Sequence, residues 1–256
     1  MTVSLYDAAG KTCWITVTEE HSTRTLLLDG CEEGAMNLYS EEPIFAYLWF
    51  HKCSHLAETP IRKALVLGAG AFTAAKCLAL DHPKAIIDAV DLEPDLENVT
   101  RRFFRMDKPE FSRIRFHGRP AENFLRAVTP SNYDFIFDDL FDGFQHVPDE
   151  ALSAPHLQQL RSGLASGGIC VKNMIWDPRS ANNRAACEEL KKRWEHTLPN
   201  HLILAMGKPE RGHNFLLLGS KREVGLSWSA VKAGLRAAGV PATILDGLHA
   251  RGEVHS

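Results

Sequence analysis

The chain has 256 residues, 45% of them hydrophobic and 24% charged, with a net charge of −3. That composition fits one large α/β domain, or one with a small appendage, and a core of ample size. It excludes a global basic field for nucleic acid or anionic membrane, and no apolar run approaches the ~20 residues of a spanning helix. Met1 to Thr12 lacks a basic start followed by an apolar stretch, so a cytoplasmic location is expected. The six cysteines lie far apart with no C-x-x-C pair. Reduced thiols are therefore expected, without a disulfide framework or a thiolate zinc site.

The first β-prone runs are Trp14 to Thr18 and Arg24 to Asp29, separated by a polar stretch. They predict a hairpin, with Asp29-Gly30 as the next turn. Ser40 to Pro43 reads as a helix start, with a capping hydroxyl, acids in the first turn and an early proline; Ile44 to Leu56 would follow as the helix. From Arg62 the pattern becomes β-α repeating. Strands are predicted at Ala64 to Leu67, Ile86 to Val90, Ile114 to His117, Phe135 to Phe137 and Ile169 to Val171. Helices are predicted at Ala71 to Leu80, Glu93 to Phe104, Ala121 to Val128 and Arg179 to His196. Leu202 to Met206 and Phe215 to Gly219 read as a closing antiparallel pair, and Ser227 to Gly239 as a capped helix packed on the sheet. Short apolar strands alternating with helices imply a parallel sheet covered on both faces. A closing hairpin on such a sheet is the habit of the methyltransferase-like fold.

Gly68, Ala69 and Gly70 follow a strand and open a helix. Small residues there let a backbone approach a ligand, and a helix N-terminus offers free N–H groups. Asp91 closes the second strand, with Leu92 and Glu93 after it. A carboxylate at that place can accept both hydroxyls of a ribose. Thr73 stands where a dinucleotide fingerprint carries its third glycine, which counts against dehydrogenase chemistry.

These residues resemble the spermidine synthases. Arg24 to Gly30 is similar to their R-x-L-x-L-D-G hairpin, and Ala64 to Thr73 to their glycine-rich first motif. Asp91-Leu92-Glu93 resembles their ribose motif. Tyr133 to Asp142 resembles their Y-D-x-I-x-x-D-x-x-D, and Gly167 to Ile169 with Gly212 to Lys221 their closing strands. The resemblance implies the class I AdoMet-methyltransferase fold, a mostly parallel seven-stranded sheet with an antiparallel closing hairpin. A β-hairpin region with its linking helix would span residues 1–60, and the nucleoside-binding domain residues 61–256. It implies S-adenosyl-L-methionine, or alternatively its decarboxylated form, as co-substrate, no metal, a small-molecule amine-type acceptor and an optional homodimer.

The resemblance also places residues. Gly68, Ala69, Gly70, Thr73, Asp91, Leu92, Glu93, Glu122 and Asp139 would bind the donor, and Asp142 and Asp139 would be catalytic, with Asp142 taking the proton. Several family positions differ. Ala71 replaces the acid that reads the donor's aminopropyl amine. Phe45 and Ala46 stand near the family's tyrosine and histidine. Pro120, or nearby Glu122, replaces the adenine-reading acid, and the acceptor tyrosine is missing from Pro209 to Gly212. Putrescine is therefore not the expected acceptor. Intact AdoMet is favoured slightly as donor, because Ala71 removes a charge that would repel its carboxylate. A non-catalytic nucleoside-binding homologue is the alternative of another class.

Three further groups carry plainer readings. His51 and His55 share a helix face while Cys53 points elsewhere, so they read as exposed helix histidines rather than a metal site. Lys172 and Asn173 end a strand, either lining the pocket or merely closing the strand. Lys191 to Arg193 reads as a solvated helix face.

Overall fold

The computed structural model describes residues 1–141, 147–207, 213–221 and 226–251. The N-terminal part is a four-stranded antiparallel sheet, not a lone hairpin. Its strands are β1 (Val3–Ala9), β2 (Trp14–Glu20), β3 (Thr23–Leu28) and β4 (Cys31–Asn37). The predicted hairpin is β2 paired with β3. β1 and β4 add to its edges; β1 is largely exposed, and β4 is short of β-branched residues. An eleven-residue 3-10 helix, Ala46–Leu56, follows in place of the expected α-helix. Its N-cap is Phe45, so Ser40 does not cap it.

The second sheet has eight strands among the described residues, in the order β12-β10-β11-β9-β8-β5-β6-β7. β5 (Lys63–Leu67), α1 (Thr73–Asp81), β6 (Ile86–Asp91), α2 (Leu96–Phe103), β7 (Ile114–Gly118), α3 (Ala121–Leu125) and β8 (Tyr133–Asp138) come first. α4 (Asp149–Leu152), α5 (Ala154–Gly163), β9 (Leu164–Trp176), α6 (Ala181–Thr197), β10 (Asn200–Met206) and β11 (His213–Ser220) follow. α7 (Trp228–Ala237), α8 (Ala242–Asp246) and β12 (Leu248–Arg251) end the described chain. β5 to β9 pair in parallel, and β11, β10 and β12 close the sheet antiparallel. The expected seven strands are thus joined by β12 on the edge of β10.

Alternation along the strands explains the two cores. Ala64, Val66, Phe135 and Val171 face one side, together with Ile15, Val17 and Leu26 of the small sheet. Leu65, Leu67, Ile136 and Cys170 face the other, beneath Leu160 and Trp194. Both faces are covered, so the middles of β5, β8 and β9 are apolar on both sides, and polar groups wait for the carboxyl ends. Helix caps follow local chemistry: Ser180 Oγ accepts from Asn183 N at 3.2 Å, and Ser227 Oγ from Ala230 N at 3.3 Å. α7 is the expected capped helix, but its buried Val231 and Leu235 belong to a helix that packs against the 3-10 helix rather than on the sheet. No helix among the described residues is long and apolar enough to cross a membrane.

Candidate active site

A cavity of about 860 Å³ opens at the carboxyl ends of β5, β6, β8 and β9, roofed by the small sheet and the 3-10 helix. Strand order reverses between β5 and β8, and open α/β sheets bind ligands at such a switch point. The volume is in the usual range for a small-molecule site. Gly68, Gly70, Asp91, Leu92, Glu93 and Asp139, all expected at the donor site, line it.

One end is built around Asp91. Its Oδ2 accepts from Ala69 N at 2.9 Å and Gly70 N at 3.1 Å, and its Oδ1 accepts from Glu93 N at 3.2 Å. The glycine turn therefore spends two of its N–H groups on this carboxylate rather than offering them to a ligand. Burial raises the pKa of Asp91, and these backbone bonds counteract it. Oδ1, with the one bond from Glu93 N, keeps acceptor capacity for a further donor such as a ribose hydroxyl. Gly68 and Gly70 hold positive φ of 81° and 47°. A Cβ on Gly68 would lie 2.1 Å from the Asp139 carbonyl oxygen, and one on Gly70 2.6 Å from that of Glu33. The turn must be bare backbone, squeezed between β8 and β4.

The remaining donor-site expectations divide. Glu93 Oε2 accepts from Thr12 N at 2.6 Å, Thr12 Oγ1 at 2.8 Å and Cys13 N at 3.3 Å, while Oε1 accepts from Asp95 N at 2.9 Å. Glu93 thus clasps the turn between β1 and β2 instead of standing ready for a ribose. Ala69 acts through its N–H alone. Thr73 does not line the cavity; it is buried, with its hydroxyl donating to the Ala35 carbonyl at 3.4 Å. Glu122 begins α3, outside the lining. Ala71 does not face the cavity either: it is buried under β4, where a Cβ on Gly34 would lie 2.5 Å from its own.

The other end is built around Asp139. Asn173 Nδ2 donates to its Oδ1 at 2.7 Å, and the Tyr47 hydroxyl hydrogen-bonds toward it. Burial pushes Asp139 up to about 7, against the stabilising bonds from Asn173 and Tyr47. Its neighbour Asp138 behaves oppositely. Strand alternation turns it to the far face, where Lys172 Nζ and His156 Nε2 each lie 2.8 Å from Oδ2. Burial would raise Asp138 too, but the Lys172 and His156 charges hold it down at about 2. Two adjacent acids are thereby driven apart, one kept ionised and one poised near neutrality. Asp142, the expected proton acceptor, and Pro209 to Gly212 lie outside the described residues.

Sequence reasoning missed Tyr47, Glu33, Asn214, Trp176 and His213, all of which line the cavity. Only Tyr47 had a signal, two residues from Phe45, where the resemblance places a tyrosine. Other readings need correction. His51 is buried, not exposed, whereas His55 is exposed as read; His51 Nε2 lies 3.2 Å and His55 Nε2 3.4 Å from Asp81 Oδ2, with Lys52 Nζ 2.6 Å from Oδ1. Lys191 is also buried, its ammonium over the rings of Phe215 at 4.4 Å and Trp176 at 5.2 Å. Lys172 and Asn173 do not end their strand, since β9 runs on to Trp176; Lys172 forms a buried ion pair and Asn173 lines the cavity. Among the described residues no group of His, Cys, Asp and Glu is arranged to hold a metal ion.

No family model matches the chain. A polyamine aminopropyltransferase from Vibrio vulnificus (strain CMCP6) is 24% identical over 155 residues, which is 56% of this chain and 50% of that protein. The match thus spans half the length of that relative. A probable spermidine synthase from Corynebacterium glutamicum ATCC 13032 has a TM-score of 0.78 at 20% identity, covering 96% of this chain and 89% of that one. Human methyltransferase-like protein 13, solved with SAH, has a TM-score of 0.60 at 18% identity over 78% of this chain and 91% of that one. The fold is that of the spermidine synthases on a class I methyltransferase sheet, as the motifs imply.

Proposed function

We propose that this chain is a transferase that binds AdoMet or its decarboxylated form and moves a carbon group from the sulfonium to an amine-type nucleophile. The observation that carries the reading is one cavity with two ends. The glycine turn and Asp91 form a nucleoside seat, and Asp139, Tyr47 and Asn173 form an acid-base seat facing it. The fit of the donor rests on this chain's own residues. The turn exposes bare backbone, and the Asp91 carboxylate retains acceptor capacity for a ribose. A sulfonium donor brings its own leaving group, a neutral thioether, so the protein needs to position and to take a proton.

An alkyl amine near pKa 10 is mostly protonated, and freeing its lone pair at pH 7 costs about 4 kcal/mol. Asp139 supplies the acceptor for that proton. Carbon–nitrogen bond formation and carbon–sulfur cleavage proceed while the amine proton passes to the carboxylate. A base close to neutrality suits that exchange better than an ordinary aspartate. Tyr47 and Asn173 hold the carboxylate in place. The similarity to an aminopropyltransferase supports an amine acceptor. Methyl, aminopropyl and aminocarboxypropyl transfer all satisfy the same geometry.

Incubation with an amine panel and each donor, followed by mass spectrometry of the nucleoside by-product, tests the reading. Methylthioadenosine marks transfer of a propyl arm, and S-adenosylhomocysteine marks methyl transfer. Tight nucleoside binding with no by-product from any amine would leave a binding homologue and refute the transferase.

A further inference from the structure

Asp139 is the end of a row of amides. β9 and β11 lie side by side, with Asn173 opposite Leu216 and Ile175 opposite Asn214. Asn173 and Asn214 are therefore diagonal neighbours on one face of the sheet. Asn214 Nδ2 donates to Asn173 Oδ1 at 3.0 Å, and Asn173 Nδ2 donates to Asp139 Oδ1 at 2.7 Å. Both asparagines line the cavity.

The direction of this row follows from chemistry. An ionised carboxylate only accepts, so the group facing Asp139 must be the nitrogen end of Asn173. The oxygen end then faces Asn214, which must present its own nitrogen. A half-turn of Asn173 would aim oxygen at carboxylate and nitrogen at nitrogen, losing two bonds and gaining two repulsions. Asn214 thus fixes the orientation of Asn173 without touching Asp139.

We propose that Asn173 and Asn214 are positioning residues: Asn214 orients Asn173, and Asn173 engages Oδ1 of Asp139 so that Oδ2 is turned toward the acceptor nitrogen. This rests on the reading of Asp139 as the proton acceptor. The other described groups bearing on Asp139 are Tyr47 from the 3-10 helix, Asp138 on its own strand and Lys172 beside Asn173. The glycine turn packed against it adds only backbone, donating through none of its side chains. Tyr47 and Lys172 favour the ionised form, and Asp138 opposes it. Asn214 is linked to Asp139 by the two bonds through Asn173, so a change at Asn214 reaches Asp139 through that residue.

The test follows the Asp139 carboxyl itself, by carbon-13 NMR of aspartate-labelled protein with methylthioadenosine bound. The Asp139→Asn variant identifies the signal. Asn173→Leu should raise the Asp139 midpoint by roughly 0.5–1 pH unit, since it removes a bond made to the charged form. Asn214→Leu should move it in the same direction by less, and the double variant no further than Asn173→Leu alone. Asn214 is half-buried at the cavity wall, so Asn214→Leu carries the test even where Asn173→Leu fails to fold. An unchanged midpoint in folded, nucleoside-binding Asn214→Leu overturns the relay. The titration needs no acceptor. A midpoint that moves as expected while no amine is alkylated upholds the relay and refutes the transferase reading instead.

Discussion

Replacing Asp139 by asparagine should make the protein more stable and less active at once. Burial lifts this carboxyl from 3.8 to about 7. Each tenfold change in acidity is about 1.4 kcal/mol, so ionising it in the folded chain at neutral pH costs up to about 4 kcal/mol. Asp139 is partly open to the cavity, and solvent there screens some of that cost, leaving about 1–3 kcal/mol. The sign follows from linkage. A raised folded value means the native state holds the proton more tightly than the unfolded chain. Stability is therefore greatest below about pH 4, falls as the pH rises toward about 7, and is level above that. The amide introduced by Asp139→Asn would mimic the protonated form and keep Asn173 satisfied, because its oxygen accepts as well. Thermal unfolding should then show the variant above wild type at pH 8, by about 2–4 °C for each kcal/mol. The two should converge near pH 4. Turnover with a working acceptor should fall about 10²- to 10⁴-fold, with donor affinity nearly unchanged. A stability gain of the same size at pH 4 and pH 8 would show that Asp139 is not a buried, neutral-leaning acid.

Asp91→Ala should weaken methylthioadenosine binding by roughly 2–3 kcal/mol, about 30- to 150-fold by calorimetry, and equal binding would remove the ribose from Asp91. Glu93→Gln should cost about 1–3 kcal/mol in denaturant unfolding, because an amide nitrogen would then face the Thr12 donors; amide exchange should quicken at Thr12 and Cys13. Burial opposes the Glu93 charge, but the N–H groups of Asp95 and Thr12 hold it below the ordinary glutamate value, so this contribution is present above about pH 4.5 and fades as the pH falls. Lys172→Met should cost about 3–5 kcal/mol, since it leaves Asp138 buried beside His156 alone, and a near-neutral result would contradict the ion pair. Ala71→Asp should destabilise the small sheet rather than retune the donor, because β4 already fills the space around Ala71.

The sheet was legible because its strands obey simple rules. Ala64 to Leu67 and Phe135 to Phe137 are apolar throughout, bounded by glycine or acids, and bury on both faces. The glycine turn and Asp91 were legible for the same reason, since the switch point fixes where ligands meet the strand ends. What escaped notice depends on pairings between distant segments. β4, Cys31–Asn37, carries Glu32, Glu33 and Gly34 and has no strand signature. It forms because β3 offers a partner and because Gly34 fits against Ala71. Glu93 looked like a ribose ligand from its spacing, and only the fold brings Thr12 and Cys13 to it. Lys191 sits in a run of three basic residues, yet helix geometry turns it alone inward over Trp176 and Phe215.

Those long-range pairings also explain how a site keeps its layout while individual motif positions change. Phe45 stands near the family's tyrosine position, and Tyr47, two residues on at the start of the 3-10 helix, is the residue whose hydroxyl reaches Asp139. The acid missing at position 71 could not have stood there, since Gly34 packs on that Cβ and the Glu33 backbone crosses Gly70. Closure of β4 over the turn thus excludes an acid at 71 and, in the same movement, brings the side chain of Glu33 into the cavity. On the opposite wall the closing strands supply Asn173 and Asn214 rather than another carboxylate. Neutral amides there hold Asp139 without adding to the negative charge that Asp138 already places beside it. A further carboxylate on that wall would push Asp139 higher still, whereas the bond from Asn173 works against its burial, the direction that the proposed proton transfer favours.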